Sequence, residues 1–480
     1  MARSSTPRTG MPSGAAPGLG ERLTLTLERF AAQGRAVGHQ DGFAVLVERG
    51  LPGERVVVEI SRVEPRHALA RVVEVLAPAP GRVQPPCVHF ALCAGCDLQQ
   101  LEYPAQVAAK RQVADEQLRR IGGLEPPADW WVTPAPAPLE YRDKLEFIVV
   151  PEDGRPRPGF HGTAPGRTAA VERCRLAAPD FTRLAQAALD ALAGTRAGAR
   201  HGALPLRLTV QSGEAEEGRP ALALTLRMAT ARAAEALAAR GAALAEGLRA
   251  EVPALATLAV SAPPAARGEA PPLRVLDGPG ALVKAVGAAR YRVPLDAFFQ
   301  VHPAQTEALA AHVVEQVRAH LPPGKPPGPR LLDLYCGAGL FALPLLALGY
   351  RVAGADASGA AVRAAAQAAQ AACGAPAPKE GGFVQADLER PEALRELLRR
   401  CGYPAGVVLD PPRRGLAARL AADLKAARPA LLVYVSCDSG TFARDAARLA
   451  SHYALAALRG FDLFPQTHHL ELVGTFTLRH

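Results

Sequence analysis

The chain has 480 residues, 49% of them hydrophobic, which is too long for one hydrophobic core and suits two to four domains. Its formal charge of +9 and isoelectric point near 9.3 fit a polyanionic partner without requiring one. Eight Cys in this length exclude a disulfide framework, and there is no charge-free apolar run of membrane-spanning length and no signal-peptide core in residues 1–20; a cytoplasmic protein with no membrane partner is expected.

In chain order, residues 1–21 read as a disordered tail. Over 22–78 the segments RLTLTLERF, GFAVLVERG, ERVVVEISRVE and HALARVVEVL are short strands with turn punctuation, predicting a small OB-like β-barrel over 22–80. Pro-rich breaks follow at 78–86 and 134–138, and between them Tyr103–Arg120 has helical periodicity. The domain over 81–290 mixes strands such as KLEFIVV and LPLRLTVQS with Ala-rich helices around 180–193 and 230–250, an α+β pattern. The domain over 291–480 changes rhythm after Pro329: RLLDLYC, RVAGADAS, GGFVQADL, AGVVLDPP and LLVYVSCD alternate with helices, the α/β signature of a Rossmann-like, doubly wound parallel sheet.

The first of these strands runs into Gly337-Ala338-Gly339 and then a helix, a turn that lets a ligand approach the backbone at the carboxyl end of the strand. The second strand ends in Asp356, placed to accept both ribose hydroxyls of an adenosine, and the third in Asp387, near an adenine edge. The loop lacks the G-x-G-x-x-G run of dinucleotide binders, since Phe341 and Ala342 interrupt it. The pattern therefore points to S-adenosylmethionine.

Two further strand ends carry chemistry, Asp410-Pro411-Pro412-Arg413-Arg414-Gly415 and Ser436-Cys437-Asp438. Ligands of open α/β sheets bind beyond the carboxyl ends of the strands, so Asp410 and Cys437 should face the donor crevice, with Arg444 one helical turn on to lower the thiol pKa. FDLFPQTHHLELV adds Glu471 as a candidate base. Adjacent His468 and His469 on an extended stretch would point to opposite faces, which disfavours a metal site there.

LDLYCGAGLFALP, VVLDPPRRG, YVSCDSGTFARD and FPQTHHLELV, with DAFFQVHPAQTEAL upstream, resemble the signature segments of RNA 5-methyluridine methyltransferases. The 22–78 region is similar to that family's TRAM RNA-binding domain, and PPCVHFALCAGCDLQQL to its cluster loop. The resemblance runs over nearly the whole chain and implies a class I methyltransferase fold, Cys437 as nucleophile and Glu471 as the base that removes the carbon 5 proton. It also implies that Gln300, Tyr335, Asp356, Asp387 and Asp410 contact donor or uridine, beside the loop residues Gly337, Gly339 and Leu340. Asp438, Ser439, His302 and Leu340 depart from the residues usual at those positions. Asp438 stands where Asn is typical and should raise the thiol pKa.

Cys87, Cys93 and Cys96 are spaced C-x5-C-x2-C, with Cys174 further on. Three close thiols and a remote one suit an iron–sulfur cluster, with zinc as the alternative. The resemblance favours a 4Fe–4S cluster, and ribosomal RNA of the large subunit over transfer RNA as substrate; a monomer is expected. An RNA-binding protein with decayed catalysis is the reading from a different class.

Overall fold

A computed structural model describes residues 15–194, 204–264, 272–325, 327–373 and 382–479; most of the expected N-terminal tail lies outside them. The chain divides into two compact units. The first takes the residues up to Phe90, Gly95–Val113 and Pro465–His469, and the second takes Ala91–Ala94, Ala114–Phe464 and Leu470 onward.

In the first unit six strands, Arg22–Thr26, Arg29–Phe30, Ala36–Gln40, Phe43–Glu48, Arg55–Glu64 and His67–Ala77, form one sheet curled around its own core. Phe43–Glu48 alternates buried and half-buried residues, the period of a strand with one covered face, and Val45, Val47, Val56, Val58 and Ile60 fill the interior. The sequence reading missed Ala36–Gln40 because Gly38 breaks the alternation. Gly38 suits the close strand packing there, since a Cβ would lie 3.1 Å from the Thr26 carbonyl of the neighbouring strand. The predicted helix is Tyr103–Gln117, closed by a wider turn at Leu118–Gly122.

The second unit contains two sheets. Nine strands between Lys144 and Pro294 make a mostly antiparallel sheet on which the helix Pro179–Ala193 packs through Phe181, Leu184, Ala188 and Leu192. The predicted helix around 230–250 is two helices, Ala231–Ala238 and Gly241–Glu251. They part where Arg240 leaves helical geometry and Gly241 lies so close to Leu276 that a Cβ would sit 2.7 Å away.

The other sheet carries the residues of chemical interest. Its strands are β1 (Arg330–Leu334), β2 (Arg351–Asp356), β3 (Phe383–Gln385), β4 (Gly406–Leu409), β5 (Leu431–Ser436), β6 (Tyr453–Phe461) and β7 (Glu471–Leu478). They lie in the order β3-β2-β1-β4-β5-β7-β6, with the short strand Val132–Thr133 beyond β6. The first five are parallel and β7 is antiparallel to both neighbours. All four residues of β4 and all six of β5 are buried, as strands covered on both faces must be. Strand order reverses between β1 and β4, the switch point at which such sheets open a ligand crevice. Among the described residues no helix is long and apolar enough to cross a membrane.

Candidate active site

At the end of β1 the chain turns sharply. Tyr335, Gly337 and Gly339 hold φ of 63°, 51° and 90°, a region that glycine enters freely and tyrosine only under constraint. A Cβ on Gly337 would meet nothing within 4 Å, whereas one on Gly339 would press on Ala365 and Leu343 at 3.3 Å. Gly337 thus opens its backbone to a ligand, and Gly339 lets the following helix pack. The Asp356 carboxylate ties two loops together, accepting from Gly337 N at 3.0 Å and Ser358 N at 2.7 Å. Tyr335 reaches Glu389 Oε1 at 3.4 Å, and exposed Asp387 accepts from Glu389 N at 3.0 Å. Leu340 turns its side chain into the core at 7% exposure and gives its carbonyl to the Tyr291 hydroxyl at 3.0 Å, so only its backbone is left to face a ligand. Gln300 is buried, one residue before Val301, whose carbonyl accepts from Asp143 N.

His302 stands where Asn is usual and serves as a helix cap. It caps the helix Pro303–His320, its Nδ1 accepting from Gln305 N at 3.4 Å, and stacks on Tyr141 with ring centres 4.7 Å apart. Burial lowers its pKa to about 4, so the ring is neutral and free to accept that bond.

On the other side of the switch point, Asp410 follows β4 and its amide donates to Leu334 O at 3.2 Å. Cys437 follows β5. The antiparallel register of β5 and β7 pairs Ser436 with Leu472, which places Cys437 beside Glu471 at the start of β7. Glu471 is 1% exposed and its Oε1 has no hydrogen-bond partner; burial first, then Asp410, raises its pKa well above the usual carboxylate range, against the pull of Arg413. Burial and Asp356 push Asp410 up to about 7. The Cys437 thiol is pushed up to about 12 by burial, then by Glu471, with Asp410 and Asp438 adding and Arg413 opposing.

Deeper in β1, Asp333 is fully buried and neither oxygen makes a hydrogen bond of normal geometry; burial and Asp410 hold its pKa far above normal, and the nearby Ala342 amide only partly offsets this. The sequence reading passed over Asp333 and gave no role to Arg413. The signal for Asp333 was available, as a carboxylate inside an otherwise apolar parallel strand is costly unless paired or used.

Two expectations change and one is refined. Arg444 does not act on the thiol: its guanidinium binds Asp445 at 3.0 Å and the Arg414 carbonyl at 2.7 Å, and Arg413 is the cation that favours the thiolate. Asp438 does add to the thiol's pKa, but its carboxylate is engaged as the N-cap of the helix Ser439–Leu449, accepting from Thr441 N at 2.7 Å. His468 and His469 do not point to opposite faces, because the stretch bends and their ring centres lie 4.0 Å apart.

Cys87 and Cys96 lie in the first unit, and Cys93 and Cys174 in the second. Among the described residues no group of three or more His, Cys, Asp or Glu side chains is gathered as a metal ion requires.

Fold and crevice together define a class I S-adenosylmethionine-dependent methyltransferase. The tRNA (uracil-54, C5)-methyltransferase of Pyrococcus abyssi, solved with S-adenosyl-L-homocysteine, shares the fold with a TM-score of 0.68 at 22% identity, over 94% of this chain and 99% of that one. Residues 19–73 match the TRAM domain and residues 398–479 the tRNA (Uracil-5-)-methyltransferase family. The 23S rRNA (uracil(1939)-C(5))-methyltransferase RlmD of Methylococcus capsulatus is 33% identical over 95% of this chain and 97% of its own length. That of Nitrosospira multiformis is 30% identical over 94% and 98%. The chain belongs to the RNA uracil-5-methyltransferase family.

Proposed function

We propose that the protein methylates carbon 5 of a uridine in large-subunit ribosomal RNA, with Cys437 as nucleophile and Glu471 as base. The observation that carries this reading is the register of β5 against β7, which sets Cys437 beside Glu471, with Asp410 and Arg413 near enough to act on both groups electrostatically.

Residues at the ends of β1 and β2 fit the methyl donor. Gly337 leaves open space, Asp356 is positioned to accept ribose hydroxyls, and the negative field of Asp356 and Asp410, which raises the pKa of Asp333, favours a cationic sulfonium. S-adenosylmethionine supplies the electrophilic methyl group. Carbon 5 of uracil is a poor nucleophile, and addition of the Cys437 thiolate to carbon 6 makes it an enolate carbon, dividing one difficult step into two. Arg413 stabilises the thiolate. After methylation the Glu471 carboxylate takes the remaining hydrogen from carbon 5; burial makes it a stronger base, and elimination releases Cys437.

Glu471→Gln should stop the reaction after methyl transfer and accumulate a covalent RNA–protein adduct stable to denaturant; loss of activity with no adduct would remove this role. Nucleoside mass spectrometry of ribosomal and transfer RNA from a deletion strain decides the substrate, and 5-methyluridine lost from transfer RNA alone would overturn the ribosomal assignment.

A 4Fe–4S cluster on Cys87, Cys93, Cys96 and Cys174 rests on their spacing and the family resemblance, and no step above uses it. Protein purified without oxygen should carry about four irons per chain; a colourless, iron-free, fully active protein would exclude it.

A further inference from the structure

Glu471 has a buried carboxyl with one oxygen unpartnered, so its aim depends on the backbone at either side. On one side β7 fixes that backbone by its ladder. On the other, five residues upstream, Gln466 is 5% exposed and holds φ at 71°, a conformation that a non-glycine residue keeps only when its surroundings over-determine it.

Those surroundings come from the segment that follows the cysteine loop. The Gln106 carboxamide pairs reciprocally with Gln466: its Nε2 donates to Gln466 Oε1 at 3.0 Å and its Oε1 accepts from Gln466 N at 3.0 Å. Gln106 is itself held, its Nε2 also donating to Leu98 O and Leu101 O. The amides of Asp97 and Leu98 both donate to Gln466 O, at 3.0 and 3.1 Å. The Asp97 carboxylate accepts from His468 N at 3.3 Å and meets His468 Nδ1 at 2.6 Å. The bonds to Gln466 and His468 all end on the few residues directly before Glu471.

We infer that Gln106 and Asp97 are positioning residues for the base: by clamping Gln466 and His468 they hold the loop that delivers Glu471 to carbon 5. The inference rests on Glu471 acting as that base. It assigns the segment after the cysteine loop a part in proton removal, separate from nucleophilic attack and from donor binding.

The test uses the full chain, an RNA substrate carrying tritium at carbon 5 of its uridines, and the variants Gln106→Met, Asp97→Ala, Asp97→Asn and Glu471→Gln. Gln106→Met keeps the side-chain volume and removes its hydrogen bonds. It should lower kcat at least tenfold, leave KM for donor and RNA within twofold, slow tritium release and accumulate the covalent adduct. Asp97→Ala should do the same to a smaller degree, and Asp97→Asn, which keeps an acceptor for His468, should recover most of the loss. Slower turnover without adduct in Gln106→Met, or a change confined to KM, overturns the inference. If Glu471→Gln traps adduct and Gln106→Met does not, this inference alone falls; if Glu471→Gln traps none, the assignment of the base falls and takes the inference with it. Should Gln106→Met fail to fold, Gln466→Gly, which accepts φ of 71° without strain but lacks the carboxamide, puts the same question, and wild-type adduct levels and kcat in that variant overturn the inference.

Discussion

In the N-terminal barrel, Glu54 is 0% exposed, and its carboxylate accepts from Arg82 Nη2 at 2.8 Å, Leu51 N at 2.9 Å and Ala79 N at 3.3 Å. In the catalytic sheet, Asp333 and Glu471 are equally buried, yet three of their four carboxyl oxygens have no hydrogen-bond partner. Both regions are built from strands closing on apolar cores, so the difference lies in what the carboxylates are paired with. A buried charge that only holds a fold is paired, since an unpaired one costs several kcal/mol. In the proposed reaction Glu471 takes up a proton, a task that suits a carboxylate left unpaired with a raised pKa.

This contrast can be broken most sharply at Cys437. Cys437→Ala should reduce methyl transfer to RNA at least about a thousandfold, while donor affinity, read by calorimetry, stays within about twofold. Residual turnover near wild type would remove covalent catalysis.

The pairing side is tested by Arg82→Ala, which strands the Glu54 carboxylate and should cost about 3 kcal/mol in denaturant unfolding. Asp333→Asn, of nearly equal volume, should cost little or stabilise. Asp333 has a folded pKa above its unfolded value, so the folded protein binds the extra proton and wild-type stability falls as pH rises above about 4. The Asn variant should lose that part of the slope. A destabilisation by Asp333→Asn as large as that by Arg82→Ala would erase the distinction.

The pH dependence of turnover sharpens it further. Cys437 is raised to about 12, Asp410 to about 7 and Glu471 well above normal, and the reactive thiolate and carboxylate are the deprotonated forms. Single-turnover rates at saturating donor should therefore climb between pH 6 and pH 9, by up to about tenfold per pH unit while one proton is being lost. Arg413→Gln should move the rise to higher pH, because Arg413 favours both charged forms.

The smallest effect belongs to Asp438. Asp438→Asn keeps an oxygen for Thr441 N and removes a charge near the thiol, so stability should change by less than about 0.5 kcal/mol and activity rise a few-fold. Asp438→Ala should lose about 1 kcal/mol of cap. A drop in activity on Asp438→Asn would mean that the charge itself is used.

Local pattern made much of the fold legible. The continuous apolar runs of β1, β4 and β5 announce strands buried on both faces, and the barrel strands show their alternation. Ala36–Gln40 escaped because Gly38 answers to a neighbouring strand, and the helix break at Gly241 because it answers to Leu276. Each depends on a residue distant in sequence. The same holds at the site. Asp356 and Asp410 are visible as acids at strand ends, whereas the cation acting on the thiol is Arg413 and not Arg444, a choice made by Asp445 and the Arg414 carbonyl, which hold Arg444 elsewhere.

The sequence by itself determined the strand ends, because hydrophobic period and glycine placement are local, and so it set Cys437, Asp410 and Asp356 at the mouths of their strands. Only the tertiary structure decided that β7 runs antiparallel against β5, pairing Ser436 with Leu472 and so setting Glu471 beside Cys437. Register is a property of two segments that meet only in the folded sheet, and no periodicity within either one encodes it.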